Sequence, residues 1–199
     1  MRLFEKSKTS QEATFWDHLE VLRWSILRVL AFVSVLVFVF FSFKDFLFDD
    51  IIFPPLKSDF VIYRFFCQLG NWLHIPDLCP GDFKIQLINY SLSGQFMAHI
   101  STAFTVALTL SVPYLLFEIW KFVSPAMYPN EKQNMGWAFF TSSILFYLGV
   151  VVSYFLVFPL TIRFLGTYEV STLVPNQISL ESYLNTLNIL IFSMGIMFE

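Results

Sequence analysis

Acidic side chains lie next to the apolar segments of this chain, where they could bind a cation. Asp17 and Glu20 precede the first apolar run and are three residues apart, so a helix can present both on one face. Glu118 closes the second run, and Glu131 projects from the connection that follows it. Four carboxylates on one side of an apolar bundle would suit a cationic ligand. Taken singly, each is also compatible with an ordinary solvated carboxylate.

A fifth carboxylate, Glu199, follows the apolar stretch NILIFSMGIMF. A carboxylate inside a membrane is costly unless it is protonated, paired or reached by water, so Glu199 is a candidate functional residue. The sequence contains no nucleotide-binding loop, no HExxH zinc motif and no GxSxG nucleophile motif, and its histidines are scattered. We therefore expect no enzymatic activity and no cofactor.

Four long apolar runs must position these side chains. Only 14% of the residues are charged, whereas a soluble domain has about a quarter. A membrane-spanning helix needs about 20 apolar residues, so three runs are long enough and the last is just short. The alternative, buried helices of a soluble core, predicts a polar stripe, which the segment LFYLGVVVSYFLVF lacks. We predict an all-α, polytopic membrane protein. The runs are Trp24–Phe43, Ala98–Phe117, Gly136–Ile162 and Ser182–Phe198.

Positive charges predict the orientation of these runs. Lys and Arg are concentrated in the N-terminal flank, as far as the start of the first run, and in the corner 121–132 after the second, and such residues favour the cytoplasmic side. The N-terminus and this corner are therefore predicted to be cytoplasmic. The charges that decide this are Arg2, Lys6, Lys8, Arg23, Arg28, Lys121 and Lys132.

The predicted organisation is a single membrane domain over residues 1–199. At about 1.5 Å per residue the third span reaches roughly 40 Å, more than the hydrocarbon core, so it must tilt or project. Pro159 could bend it where it emerges. The predicted order is a cytoplasmic amphipathic segment (1–22), a first span (23–43), a long periplasmic connection (44–95), a second span (96–119), a cytoplasmic loop (120–135), a third span (136–162), a periplasmic loop (163–181) and a fourth span (182–199).

The long connection 44–95 is rich in aromatic residues and turn formers, which predicts a folded cap. It contains both cysteines of the chain, Cys67 and Cys79. An outer compartment permits a disulfide between them, but two buried free thiols fit the sequence equally well. Metal binding by these cysteines and His74 is a third alternative, although the spacing of a tetrahedral site is missing. We therefore predict no metal site and leave the disulfide open.

Four stretches, in this order, resemble the TatC family, the multispanning core of the twin-arginine protein translocase: DHLEVLR, PYLLFEIWKFVSPAMYPNEK, LFYLGVVVSYFLVFP and MGIMFE. The second is the most specific, with the pattern Pro–x4–Glu/Gln–x–Trp–x–Phe–x2–Pro–x–Leu/Met–Tyr–x2–Glu. The resemblance covers essentially the whole chain apart from the cap. It implies a bundle of six spans, about four of them present here, around a concave, lipid-facing pocket. The chain is accordingly expected to stop inside its fourth span.

The resemblance implies a signal-peptide receptor and scaffold that helps folded proteins cross the membrane with the proton motive force. The N-terminal segment and the first cytoplasmic corner would together hold the Arg–Arg pair of the signal peptide. Glu131 would bind a guanidinium through two hydrogen bonds, which Lys cannot reproduce, and a rigid turn would lower the entropy cost. Glu199 would polarise the pocket. The implied binding residues are Glu20, Asp17, Glu131, Trp120, Phe122, Pro125 and Tyr128.

The N-terminal motif departs from the family at one position. The family pattern HLxELR has its acid two residues before the Arg, whereas HLEVLR places Val21 there and the acid at Glu20. One residue turns a helix by about 100°. Either Glu20 reaches the ligand from a different angle, or Asp17 shares the role.

The implied partners are single-span TatA/TatB-type subunits, twin-arginine signal peptides of folded precursors, further copies of this chain and the lipid bilayer of a bacterial inner membrane. No nucleic acid is expected. A function from another class remains, namely a small-solute or ion transporter that uses Glu199 as its proton or cation site. Transporters often show internal repeats and broken helices. Neither is evident in this sequence, so we favour the receptor.

Overall fold

A computed structural model of the chain describes residues 5–57, 59–73, 86–126, 129–168 and 177–199, with the side chains of 5–15, 17, 73, 126 and 129–134 left undescribed. Helices account for nearly all of these ranges, which confirms the predicted all-α class. Strands β1 (Leu87–Ile88) and β2 (Ile178–Ser179) pair in parallel. The helices are α1 (Glu5–Ser42), α2 (Val61–Leu73), α3 (Gly94–Val123), α4 (Pro129–Val152), α5 (Phe158–Thr167) and α6 (Leu180–Phe198).

Three helical stretches among the described residues are long and apolar enough to cross a membrane: His18–Ser42, Gly94–Val123 and Met135–Thr167. The last two extend beyond the predicted spans 96–119 and 136–162. Helix α6, the predicted fourth span, is not among them, because polar residues such as Asn185 and Asn188 occupy its first half. Its assignment as a span stays a prediction.

The third span runs through α4 and α5 without a break. A π-helical turn, Ser153–Val157, joins the two helices, and Pro159 follows it in the first turn of α5. Proline removes one helical hydrogen bond and crowds the preceding turn, and a π turn is a common way to absorb such a disturbance. The helix therefore continues past Pro159 to Thr167 instead of ending at residue 162.

Helices α1 and α3 form an antiparallel pair. No Pro or Gly interrupts Glu5–Ser42, so α1 is one continuous helix and includes residues 5–22 of the predicted amphipathic segment. Residues early in α1 contact residues late in α3, and the contacts move steadily along both helices in opposite directions. The pair therefore has one defined register. Ring contacts at three levels are His18 with Phe122 (4.1 Å between centroids), Phe32 with Tyr114 (4.6 Å) and Phe41 with His99 (4.3 Å).

Helices α4 and α6 approach each other through glycine. A Cβ atom added at Gly149 would lie 2.6 Å from the carbonyl oxygen of Met194, and one at Gly195 would lie 2.6 Å from the ring of Phe146. Only hydrogen fits at such distances, so the two backbones touch directly. Small residues serve the same purpose in membrane helix pairs.

The described part of the predicted cap packs on the spans through buried tyrosines. After α1 the chain forms a π-helical turn (Phe46–Ile52) and a short 3₁₀ turn (Pro54–Leu56) before α2. Burial raises the pKa of Tyr63, in α2, to about 12. Three tyrosine hydroxyls connect this region to the spans. Tyr63 of α2 donates to the carbonyl of Pro159 (2.9 Å), whereas Tyr183 and Tyr154 donate to the first turn, at the carbonyls of Ile52 (2.6 Å) and Ile51.

Candidate functional site

The N-terminal motif and the corner meet at one end of the α1–α3 pair. The imidazole of His18 stacks on the ring of Phe122, with 4.1 Å between the ring centroids and 23° between the ring planes. His18 is exposed and Phe122 is half-buried, so solvent reaches this stacked pair. Two of the stretches that the sequence analysis singled out are therefore adjacent in space.

The corner itself begins as a compact turn. A 3₁₀ turn, Ser124–Ala126, follows α3 directly and contains Pro125, which is exposed. Trp120 lies on the inner side: its ring is in contact distance of Gly136 in α4, where an added Cβ would be 3.6 Å from it. Within the described residues the buried indole N–H of Trp120 has no hydrogen-bond acceptor. Trp120 thus fills the space between the end of α3 and the start of α4.

The structure does not describe the side chains of two predicted binding residues of the corner. Tyr128 lies outside the described residues, and Glu131 is the third residue of α4, with its side chain undescribed. Its backbone position puts Glu131 in the first turn of a helix that begins with Pro129, a favourable place for a proline. An acid in the first turn also interacts well with the positive end of the helix dipole.

The helical register of α1 distinguishes Glu20 from its neighbours. His18 faces α3, and Glu20 is two residues further along, about 200° round the helix. Glu20 is exposed and lies on the far side of α1 from Phe122. Val21 is only about 60° from His18 and is 49% exposed. The position at which the family pattern has its acid is therefore exposed next to the corner, but here it carries the apolar side chain of Val21.

Glu118 does not belong to an open acidic array, which corrects one expectation from the sequence. It is only 4% exposed, and Arg28 of α1 donates two hydrogen bonds to it, from Nε to Oε1 (3.1 Å) and from Nη2 to Oε2 (2.8 Å). Arg28 also donates to Ser25 Oγ (2.9 Å), and the Tyr114 hydroxyl donates to Glu118 Oε1 (3.3 Å). The charge of Glu118 is already matched inside the protein, so it is not available to an external cation.

Glu199 lies at the end of α6 and contacts α4. The Ser142 hydroxyl donates a hydrogen bond of 2.7 Å to Glu199 Oε1, and Glu199 is exposed. The carboxyl group therefore has one polar partner on a neighbouring helix and one open side. This differs from Glu118, whose carboxylate is enclosed.

The described residues include no group of three or more His, Cys, Asp or Glu side chains that could hold a metal ion. Cys67 is disulfide-bonded, whereas Cys79 and His74 lie outside the described residues. Chemically, the end of the α1–α3 pair is an open aromatic surface flanked by acidic positions. Such a surface can bind a planar cation by stacking and ion pairing.

Sequence reasoning missed three residues that the structure connects. Arg28 was recognised only as a positive charge, although an Arg in one apolar run and a Glu in the next are natural partners. His18 lies within the stretch DHLEVLR but received no role of its own. Ser142 carried no signal of its own, because hydroxyl residues are common in membrane helices and only the register of α4 against α6 selects it.

Comparison with known proteins gives consistent matches. The family model described as Sec-independent protein translocase protein (TatC) matches residues 17–199. A protein named Sec-independent protein translocase protein TatC from Blattabacterium sp. subsp. Periplaneta americana (strain BPLAN) is 32% identical over 189 residues, which are 94% of this chain and 71% of that protein. Its namesake from Haemophilus influenzae is 37% identical over 113 residues, 57% of this chain and 44% of that protein. The chain thus matches less than half of the second relative.

The fold is also similar to a solved structure. The crystal structure titled Twin Arginine Translocase Receptor- TatC superposes with a TM-score of 0.67 at 25% sequence identity. The match covers 92% of this chain and 70% of that one. The similarity therefore extends over the α1–α3 and α4–α6 pairs together rather than over a single helix hairpin.

Proposed function

Because this chain belongs to the TatC family of Sec-independent protein translocase proteins, we propose that it is the signal-peptide receptor and scaffold of a twin-arginine translocase in a bacterial inner membrane. It binds the Arg–Arg motif of folded precursors at its cytoplasmic face. The observation that carries this proposal is the stacking of His18 on Phe122, which joins the N-terminal motif to the corner.

The chemistry of this surface suits guanidinium better than ammonium. A guanidinium is planar, so it can stack on an exposed ring at this surface, such as the His18 imidazole that lies on Phe122, while its edge hydrogen-bonds a carboxylate. Glu131, in the first turn of α4, supplies that carboxylate. A lysine ammonium is compact and strongly hydrated and cannot make both contacts in this way. The receptor consequently discriminates between Arg–Arg and Lys–Lys signals.

We assign the second acidic contact to Asp17 ahead of Glu20. Asp17 is one helical turn before Val21, so the helix carries both residues on one side, at the position where the family pattern has its acid. Glu20 lies about 200° from His18, away from the corner. A ligand seated on Phe122 is therefore nearer to the side of α1 that carries residues 17 and 21.

The scaffold role involves the membrane and partner proteins. Glu199 places a carboxyl group at the end of an apolar helix, and water drawn to it would thin the bilayer locally and lower the barrier to a folded passenger. Single-span TatA/TatB-type subunits and further copies of the chain complete the translocase. The translocase moves precursors by using the proton motive force, with the N-terminus of the chain in the cytoplasm.

Site-specific crosslinking in native membranes tests the receptor role. A photoreactive residue replaces Lys121, which is exposed beside Phe122, and in a control protein it replaces Tyr90, which is exposed beside β1 near the other end of α3. An Arg–Arg precursor should crosslink at position 121 and not at position 90, and a Lys–Lys precursor should crosslink weakly at both. Equal crosslinking of both precursors at position 121 would refute the receptor. Solute-coupled proton flux through the protein would instead support the transporter.

A further inference from the structure

We propose that Ser142 is a positioning residue for Glu199. It orients the carboxyl group by a hydrogen bond between α4 and α6, with 2.7 Å from Ser142 Oγ to Glu199 Oε1. The inference rests on the proposed function, since it deepens the role that Glu199 has there. It adds Ser142 of α4 to the group of residues through which Glu199 of α6 would act on the membrane.

The backbone contact between α4 and α6 places the two side chains opposite each other. Phe146 packs against Gly195, where an added Cβ would be 2.6 Å from the ring. Ser142 is one helical turn before Phe146, and Glu199 is one turn after Gly195. Because the helices are antiparallel, these single turns lead in the same direction. The meeting of Ser142 with Glu199 is therefore a consequence of the glycine contact rather than of side-chain flexibility.

The neighbouring hydroxyl groups are oriented differently. Thr141 donates to the carbonyls of Trp137 (3.0 Å) and Ala138 (2.9 Å), and Ser143 donates to that of Phe139 (3.0 Å). Both hydroxyls are thus satisfied within α4, as is usual for Ser and Thr in membrane helices. Of the three successive hydroxyl residues 141–143, Ser142 is the one that reaches α6. Ser143 is consequently a matched control on the same turn.

The hydrogen bond determines which oxygen of Glu199 remains available. Ser142 donates to Oε1 and thereby fixes the plane of the carboxyl group and the direction of its second oxygen. Water and polar partner side chains can then reach the remaining oxygen from a constant direction. Without the hydroxyl, the carboxyl group would sample several rotamers and hydrate less reproducibly.

Export and crosslinking measurements on variants in native membranes test the role. Glu199→Ala should lower export while Arg–Arg crosslinking at position 121 stays near the wild-type level. Ser142→Ala should lower export several-fold, Ser142→Thr should retain most of it, and Ser143→Ala should match the wild type. In the Glu199→Ala background, Ser142→Ala should cause no further loss, because a positioning residue acts only through the group it positions.

An infrared readout separates this inference from the proposed function. The carboxyl stretch assigned through Glu199→Gln should shift in frequency in Ser142→Ala and stay unchanged in Ser143→Ala, whether or not the protein exports anything. An unchanged stretch in Ser142→Ala, normal export in that variant, or an equal loss in the Glu199→Ala background would overturn the positioning role. A shifted stretch combined with equal crosslinking of Arg–Arg and Lys–Lys precursors would support the contact and reject the receptor function.

Discussion

Each of the two main helix pairs has a glutamate at the contact between its helices, and the two carboxyl groups have opposite surroundings. In the α1–α3 pair, Glu118 is enclosed and receives two hydrogen bonds from Arg28. In the α4–α6 pair, Glu199 is exposed and receives one hydrogen bond from Ser142. The first pair is held by an ion pair and stacked rings, whereas the second is held by direct backbone contact at Gly149 and Gly195.

This difference separates a carboxylate whose charge is matched inside the protein from one that remains accessible. The ion pair is partly buried, with the Glu118 side chain 5% and the Arg28 side chain 41% exposed, and removal of either partner leaves a charge that the protein no longer compensates. Such a pair specifies the register of α1 against α3, and that register is what brings His18 to Phe122. A carboxyl group with a single neutral partner can still attract water. A glutamate therefore holds the two helices in register at one interface, whereas the glutamate at the other interface can still bind water.

The largest effect is expected from Glu118→Ala, which leaves the Arg28 guanidinium without its carboxylate. The variant should lose more thermal stability than any other substitution considered, and both crosslinking at position 121 and export should fall with it. Thermal unfolding of the purified protein measures the first, and the crosslinking assay the second. A double variant, Arg28→Glu with Glu118→Arg, should recover a large part of the stability. A stable Glu118→Ala protein with normal crosslinking would contradict the structural role of the ion pair.

A smaller effect is expected from Gly149→Ala, which tests the other interface. The new methyl group would lie 2.6 Å from the Met194 carbonyl oxygen, so the helices must separate, at a cost of about 1–3 kcal/mol typical of overpacking. Export should fall, while crosslinking at position 121 should persist. Gly136→Ala in the same helix is the control, because its methyl group would make only ordinary contact with Trp120 at 3.6 Å. An equal loss of export in Gly149→Ala and Gly136→Ala would show that the close contact of α4 with α6 at Gly149 has no special role.

Glu131→Ala is expected to act on ligand binding without loosening either helix pair. It should weaken binding of the Arg–Arg signal peptide by about 1–3 kcal/mol, the range for a charge-assisted hydrogen bond whose partner is left unpaired. Thermal stability should change little. Titration of crosslinking against precursor concentration measures the change, with the adjacent Asn130→Ala as a control. Unchanged crosslinking in Glu131→Ala would show that the corner glutamate is not a ligand.

The sequence predicts the helices of this molecule better than it predicts their contacts. Long apolar runs predict α1, α3 and α4, because a segment that crosses a bilayer must satisfy its backbone hydrogen bonds internally and a helix does so. The helix bounds come from the structure: no Pro or Gly ends α1 between positions 5 and 42, and the third helical stretch continues past Pro159 to Thr167. The family resemblance, carried by the corner motif, was confirmed by the match over residues 17–199.

Contacts between distant segments were the part that sequence alone could not supply. Glu118 and Glu131 look alike as carboxylates near the corner, and only the register of α1 against α3 shows that Arg28 neutralises the first. Ser142 and Ser143 likewise differ only in the direction that α4 gives them. Neighbouring residues of a helix point about 100° apart around its axis. Which of them contacts a partner is therefore decided by the position of the neighbouring helix.

The smallest effect is expected where the chain departs from the family pattern, at the acid on α1. If the signal peptide contacts the side of α1 that faces the corner, Asp17→Asn should weaken Arg–Arg crosslinking by about 0.2–1 kcal/mol, the range for an exposed ion pair. Glu20→Gln should have less effect, because Glu20 lies about 200° round the helix from His18. A further variant, Val21→Glu, should strengthen crosslinking, since it restores an acid at an exposed position beside the corner. Crosslinking titrations of the three variants at low ionic strength, where exposed charges are least screened, measure the order. A larger loss in Glu20→Gln than in Asp17→Asn would mean that the ligand lies across the outer side of α1, and the α1–α3 pair would then only support the site.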